Sequence, residues 1–264
     1  MKAQGATEYL VILGAILFVA LMASVVLFWP VGSTSDVKQS QSDIKYKIRA
    51  MEHPELTQGL VAYYKFDEGM GGAISNAVGN VNNGVMTNGT WVDGKSGKAA
   101  QFANTGYVTF SSAQLSNLSK FTTTYWYNAT SFAADAGVGQ TIQTIYIDGS
   151  NSYRLGMGGT GALAVISRYS GTSNIVTTTS LVLTPLNSWK FIAISFDNST
   201  IKVYVDGAEV ATAAGALSVP VGNYIGAFSP SAGKVAGSIQ DVRIYNRVLS
   251  PEEIALLYYH IGYP

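Results

Sequence analysis

Residues 189–212 read WKFIAISFDNSTIKVYVDGAEVAT, and Asp206-Gly207 parts TIKVYV from AEVATA. Both turn residues tolerate the positive φ that a two-residue type I′ turn demands, so the pair predicts a tight hairpin. The same texture extends outward. From Leu60 on, short runs rich in Val, Ile, Thr, Phe and Tyr are broken about every 8–12 residues by Gly, Asn or Asp, the signature of an all-β sandwich. Strands are expected near LVAYYKF, AAQF, YVTF, FTTTYWY, QTIYI, YRLGMG, ALAVIS, SNIVTTT, WKFIAISFD, TIKVYVD, AEVATA, NYIGA and GSIQDVRIYN. Towards the C-terminus, Ser250-Pro251-Glu252-Glu253 combines an N-cap, a proline in the first turn and the glutamate of a capping box, predicting one short helix through IALLYY.

Composition agrees with a β-rich chain: 47% of the 264 residues are apolar and only 12% charged, the balance being Gly, Ser, Thr, Asn and Tyr. Sixteen basic and sixteen acidic residues cancel. Without a basic block there is no long-range field to draw the chain onto phosphate backbones, which excludes nucleic acid as a partner. The absence of cysteine removes disulfides and thiolate ligation, and only His53 and His260 remain as soft ligands.

The sandwich is preceded by a different kind of sequence. From Tyr9 to Trp29, YLVILGAILFVALMASVVLFW runs for about 21 residues without a charge, close to the ~20 that span a hydrocarbon core as a helix. Leu, Ile, Val and Phe occupy every face, so no polar stripe marks a soluble core helix. A removable secretory signal fits less well, because the run is long and Trp29-Pro30-Val31-Gly32 makes a poor cleavage site. Residues 31–58 are polar and read as a stalk, with Ile44, Ile48 and Met51 able to line one side of a short helix that Pro54 would end near a solvated His53. The organisation expected is therefore residues 1–30 as a membrane or filament helix, 31–58 as a stalk and 59–264 as the β domain.

The head MKAQGATEYL, Met1 to Leu10, resembles the archaeal class III signal of type IV pilins. The resemblance implies a cut by a prepilin peptidase between Ala3 and Gln4, retention of the helix, and Glu8 as the fifth mature residue. A carboxylate leading a membrane helix costs about 2.5–3.5 kcal/mol at mid-bilayer and less near the interface, so it wants a partner. The new Gln4 ammonium of a neighbouring, staggered pilin-like subunit would supply one, and removing either member of such a buried pair costs about 3–5 kcal/mol. Gly5, Ala6, Gly14, Ala15, Ala20, Ala23 and Ser24 would let such helices approach closely. Lys38, Lys45, Lys47 and Arg49 follow the helix while only Lys2 precedes it, a bias that by itself puts the β domain inside. The pilin-like head and the type of domain both point outward and outweigh it.

Four stretches, GLVAYYKFDEG (59–69), WVDGKSGKAAQF (91–102), the opening 189–212 stretch and GSIQDVRIYNRVLSPEEIALLY (237–258), resemble the laminin-G-like jelly-roll family of the concanavalin A-like lectin/glucanase superfamily. The resemblance covers roughly residues 59 to 260. It implies a mainly β fold, a two-sheet antiparallel jelly-roll sandwich, here preceded by the hydrophobic helix, and a domain that binds glycans or proteins. Fold does not determine function. Glycosidases of this superfamily need two carboxylates about 5–5.5 or 6.5–9.5 Å apart, and no strand here offers a pair. Asp67 and Glu68 would point to opposite faces of a strand, and Glu252 and Glu253 serve the helix start. His260 lies beyond that helix with no nucleophile elbow nearby, so the expectation is a protein without enzymatic activity.

Relatives bind calcium beside an Asp-rich Gly-Asn loop and an acidic residue of the final strand. The corresponding positions here are Asn76, Asn80, Asn82 and Asp241, with Asn76 and Gln240 standing where aspartates are expected. Each lost carboxylate weakens a divalent site, and an Asn76–Gln240 hydrogen bond would do the same structural work without metal. Trp126 and Trp189, in strand-like runs, are expected in the core, and Trp91 in a loop; sixteen tyrosines are too many to single out one sugar-facing ring. Asn88, Asn117, Asn128 and Asn198 each open an N-x-S/T triplet, the acceptor pattern for N-glycosylation of an exported chain.

Together these readings describe a cell-surface, pilin-like adhesion subunit that displays its domain outside the membrane to glycan or protein ligands. The alternative is a monomeric membrane-anchored lectin whose helix only tethers it.

Overall fold

A computed structural model of the chain describes residues 53–79, 81–110, 118–132, 140–148, 151–157, 162–169, 172–177, 182–214 and 223–259. Ala3, Gln4, Glu8, the apolar run 9–29 and the stalk up to residue 52 lie outside the described residues, as do Asn80, Asn117 and His260. Among the described residues no helix is long and apolar enough to cross a membrane. All of them belong to one compact unit that begins at Arg49.

The expected antiparallel sandwich is present. Its first sheet runs, edge to edge, β14 (Ala208–Ala214), β13 (Thr200–Val205), β12 (Trp189–Phe196), β7 (Phe121–Ser131), β16 (Ala236–Tyr245), β5 (Lys98–Ala103) and β4 (Thr90–Asp93), with β1 (Leu60–Tyr64) also paired to β16. The second runs β11 (Thr172–Thr177), β10 (Leu163–Tyr169), β9 (Asn151–Met157), β8 (Gln140–Asp148), β15 (Asn223–Ile225), β6 (Tyr107–Phe110), β3 (Gly84–Thr87) and β2 (Ala73–Ile74). Strands β8 to β11 are described through their backbone pairing. Strands β2, β3 and β4 escape the sequence pattern because runs of two to four residues among Gly and Asn carry little periodicity of their own. Their pairing partners define them.

The core lies between the sheets. Tyr125, Tyr127, Ile192, Ile194, Phe196, Ile239, Val242 and Ile244 of the first sheet join Ile74, Met86, Val108 and Ile225 of the second in one buried cluster. Each such side chain contributes about 1.5–3 kcal/mol on burial, so the facing rows drive assembly of the two layers.

The outward face of the first sheet is covered as well. All ten residues of β16 are buried. Helix α1 (Pro251–Tyr259) buries Ile254 and Leu257, and its Tyr258 ring stacks on Trp126 at 5.8 Å and lies 6.1 Å from Phe191. Both local signals hold. Asp206 and Gly207 take φ of 52° and 82° between Val205 and its partner Ala208. The Glu253 N–H donates to Ser250 Oγ at 3.2 Å while the Ser250 N–H donates to Glu253 Oε2 at 2.7 Å, a reciprocal capping box.

Within the segment read as stalk, residues 53–58 pack onto the sandwich. Pro54–Leu56 forms a 3-10 turn, Leu56 is buried, and Arg247 Nε donates to the Gln58 carbonyl at 2.7 Å. His53 is not a lone solvated residue: its Nδ1 lies 2.7 Å from Glu55 Oε1.

Candidate functional site

Strand β16 shares one edge between two neighbours, β5 along Ala236–Ile239 and β1 along Val242–Tyr245. At the change of partner the ladder to β7 slips between Gln240 and Arg243, and Asp241 adopts a φ of 60°. This bulge sets Asp241, one of the residues singled out as cation ligands. The Asp241 N–H donates to the Lys65 carbonyl at 3.1 Å, and its Oδ2 lies 2.8 Å from Arg243 Nη1, with both side chains at most 3% exposed. Arg243 in turn stands 4.3 Å over the Tyr63 ring. Burial alone would lower the affinity of its guanidinium for a proton, but Asp241 and the flanking Tyr63 and Tyr245 hold it firmly charged.

Asn76 lies on the other side of β1. Its Oδ1 accepts the Tyr63 and Val78 N–H groups at 2.9 and 3.0 Å, and its Nδ2 donates to the Val81 carbonyl at 2.9 Å. Gln240 turns instead to the 94–96 turn, its Oε1 accepting the Lys95 N–H at 3.0 Å and its Nε2 donating to the Ser96 carbonyl. The expected Asn76–Gln240 hydrogen bond is therefore absent. With β1 between them, Asn76 and β16 stand about two strand spacings, roughly 9–10 Å, apart. Asn82 has a φ of 59° and contributes its carbonyl, which accepts the Tyr64 hydroxyl at 2.8 Å.

A calcium ion would find a poor fit at this locus. The Asn76 amide oxygen already accepts two backbone N–H groups, the Asp241 carboxylate already faces a buried cation, and a hard cation needs six to eight converging oxygens. Among the described residues no group of three or more His, Cys, Asp or Glu gathers as a metal site.

The expectation that Asp67 and Glu68 flank a strand is corrected: β1 ends at Tyr64, and Phe66 turns the chain with a φ of 58°. Asp67 is left exposed. Glu68 Oε1 accepts the Ser75 N–H at 2.8 Å, and burial pushes its carboxyl above the ordinary range, opposed by that N–H. Glu252 and Glu253 sit in the first turn of α1 as expected.

The faces of the two sheets differ in access. In the described part of the second sheet, β3 alternates buried and accessible residues, and Val85 is 59% exposed. Pairing places Val85 beside Thr109, Thr87 beside Tyr107, and Thr109 beside Tyr224, so these five share the outward face. The Tyr107 and Tyr224 rings meet edge to face at 6.0 Å and 76°, and both residues are half-buried. Trp126 is 1% exposed beneath Tyr258, with Lys95 Nζ 4.3 Å from its ring centre, so it packs under the helix rather than between the sheets. Trp189 is half-buried at the start of β12. Trp91, expected in a loop, lies in β4 and donates to the Gly71 carbonyl at 2.9 Å.

A family model described as the concanavalin A-like lectin/glucanases superfamily, of laminin-G type, matches residues 102–255. The chain belongs to this superfamily. Among solved structures it is similar to domain 4 of AbnA, a GH43 extracellular arabinanase from Geobacillus stearothermophilus solved with arabinotriose. That likeness has 22% identity and a TM-score of 0.63, over 75% of this chain and 98% of that one. The binding domain of Paraclostridial Mosquitocidal Protein 1 follows at 16% identity and a TM-score of 0.61, over 77% of this chain. Trypanosoma rangeli sialidase, in complex with the inhibitor DANA, shares 15% identity at a TM-score of 0.57, over 88% of this chain. This chain spans 52% of the toxin domain and 40% of the sialidase, and at these identities the likeness is one of fold. No curated protein sequence matches it.

As in any such sandwich, the paired faces are assembled from strands far apart in sequence. Tyr107 and Tyr224 therefore went unrecognised; the only sequence signals were the alternation in YVTF and the short run NYIGA, indistinguishable from those around the other fourteen tyrosines. The N-x-S/T triplets are likewise sorted only by the fold. Asn88 and Asn198 are exposed in turns with φ of 51° and 85°, whereas Asn128 lies within β7 between β12 and β16, its Oδ1 buried.

Proposed function

We propose that this protein is a non-catalytic, glycan-binding adhesion subunit whose sandwich is carried outside the cell by a retained, pilin-like N-terminal helix. The observation that carries the reading is the asymmetry of the sandwich: α1 covers Trp126 and Phe191 on the outward face of the first sheet, while the described outward face of the second carries the partly exposed pair Tyr107 and Tyr224. Partly exposed aromatic rings with a hydroxyl at the tip suit the alternating apolar and polar edges of a sugar ring. The arabinotriose held by AbnA domain 4, a domain of similar fold, lends support. The anchor rests on the charge-free run 9–29 and the head around Ala3, Gln4 and Glu8. In this reading a prepilin peptidase processes the chain, neighbouring pilin-like subunits pack against its helix, and catalysis has no part.

Calorimetric titration of the full-length chain in detergent with arabinotriose and a panel of neutral oligosaccharides tests the domain's role. Saturable binding is expected, with Tyr107→Ala and Tyr224→Ala each weakening it about tenfold at an unchanged melting temperature. Absence of binding to every glycan, or affinity unmoved in both variants, defeats the reading.

A further inference from the structure

We propose that the exported chain carries N-linked saccharides at Asn88 and Asn198 and none at Asn128, a modification that rests on the extracellular placement proposed above. All three asparagines stand two residues before a threonine, so sequence alone ranks them equally. Their surroundings do not. Asn88 sits in the two-residue link where the chain leaves β3 for β4, crossing from one sheet to the other. Asn198 sits in the link from β12 to β13, held from below by Asp197, whose Oδ1 accepts the Ser199 and Thr200 N–H groups at 2.9 and 2.7 Å. Both side chains are exposed, and neither amide makes a hydrogen bond to a described residue that a saccharide would break. Both backbones are left-handed, which orders the turn without drawing the side chain into the ladder.

Asn128 is the contrast. Its neighbours in register are Trp189 on one side and Ser238 on the other, and its amide oxygen is shut off from solvent. Asn128 projects from the same face of β7 as the buried Trp126, so a bulky, hydrated group there would have to displace the packing that closes off its amide oxygen.

The chemistry needs a lipid-phosphate-linked oligosaccharide as donor. Asn Nδ2 forms a bond to the anomeric carbon and gives up one proton, while the bond from that carbon to the phosphate oxygen breaks and the lipid phosphate leaves with the electron pair. The two sites fall at opposite ends of the sandwich, since Thr90 pairs towards the Trp189 end of β12 through Gln101, Ser238 and Asn128, and Asn198 follows the Phe196 end. Asn88 also directly follows Thr87, the register partner of Tyr107, so its saccharide stands at the rim of the open face.

The test is mass spectrometry of peptides from the full-length chain recovered from the membranes of cells that make it, alongside digestion of intact cells with added protease. Peptides bearing Asn88 and Asn198 should each carry a saccharide mass and the Asn128 peptide none. Thr90→Ala should abolish the modification at Asn88 without touching the turn, and Thr90→Ser should retain it. If the added protease digests the domain and both asparagines are bare, this proposal falls while the extracellular placement stands. If the domain is shielded from the protease, both fall together. A saccharide on Asn128 overturns the proposal by contradicting the burial that separates the three.

Discussion

At the scale of single residues, the bulge in β16 shows how one slip in register assigns several roles. Freed from the ladder, Asp241 meets Arg243, and the pair is buried with the guanidinium against Tyr63. Removing one partner of a buried pair leaves the other charge uncompensated, so Arg243→Leu should cost about 3–5 kcal/mol in urea unfolding. Adding Asp241→Asn to that variant should recover much of the loss, since asparagine tolerates the left-handed backbone without a charge. Asn76 ties the Tyr63 N–H of β1 to the Val78 N–H and the Val81 carbonyl of its own loop through three hydrogen bonds. Asn76→Ala strands their partners at about 1–3 kcal/mol for each that stays dry. Neither calcium nor a chelator should move the melting temperature of the native chain; a calcium-dependent rise would refute the poor fit of the locus. The family's residue pattern drew attention to Asn76, Gln240 and Asp241. Their partners were illegible, because Asn76 and β16 flank a strand whose pairing is a tertiary fact.

At the scale of elements, what is local was legible. The Asp206-Gly207 turn and the Ser250–Glu253 capping box are closed by groups within a few residues of each other, so a short stretch of sequence holds both ends of the closing interactions. Ser250→Ala should lower stability by about 1 kcal/mol. Glu253 is also gripped by Arg247, with Nη1–Oε2 and Nη2–Oε1 distances of 2.8 and 2.6 Å. Burial alone would raise the Glu253 carboxyl, but the Arg247 and Ser250 donors bring it below the ordinary range. Because the folded value is depressed, its stabilisation is complete above the unfolded value of about 4.3 and is lost as the pH falls through the folded one. The stability gap between the native chain and Glu253→Gln should therefore be steady from pH 7 to about 5 and close below about 4, as read from urea midpoints. Strands β2 to β4 show the opposite case: each is too short to hold itself, and each exists because a neighbour offers it a ladder, β3 to β2, β6 to β3 and β5 to β4.

At the scale of the whole molecule, the sandwich is asymmetric, with one sheet enclosed between core and helix and the other open where it is described. Tyr258→Ala, which uncovers Trp126, should shift tryptophan emission to the red and lower the melting temperature, whereas Tyr107→Ala should do neither. Equal effects of the two changes would contradict the asymmetry. The proposed N-terminal anchor belongs to this scale too. Mass spectrometry of the mature chain should find its N-terminus at Gln4, and a form beginning at Met1 or lacking the whole apolar run would remove the basis for surface display.

The amino-acid sequence by itself determined that this is a β sandwich with a tight hairpin and a capped closing helix, led by a charge-free segment of membrane-spanning length, because those properties rest on turn stereochemistry, periodicity and neighbours along the chain. Only the tertiary structure decided that Trp126 is covered while Tyr107 stays partly exposed, that Asp241 faces a cation, and that Asn88 and Asn198 are exposed where the amide oxygen of Asn128 is closed off. Exposure and partnership are set by what packs across from a residue, and in a sandwich of crossing strands that neighbour is rarely near in sequence.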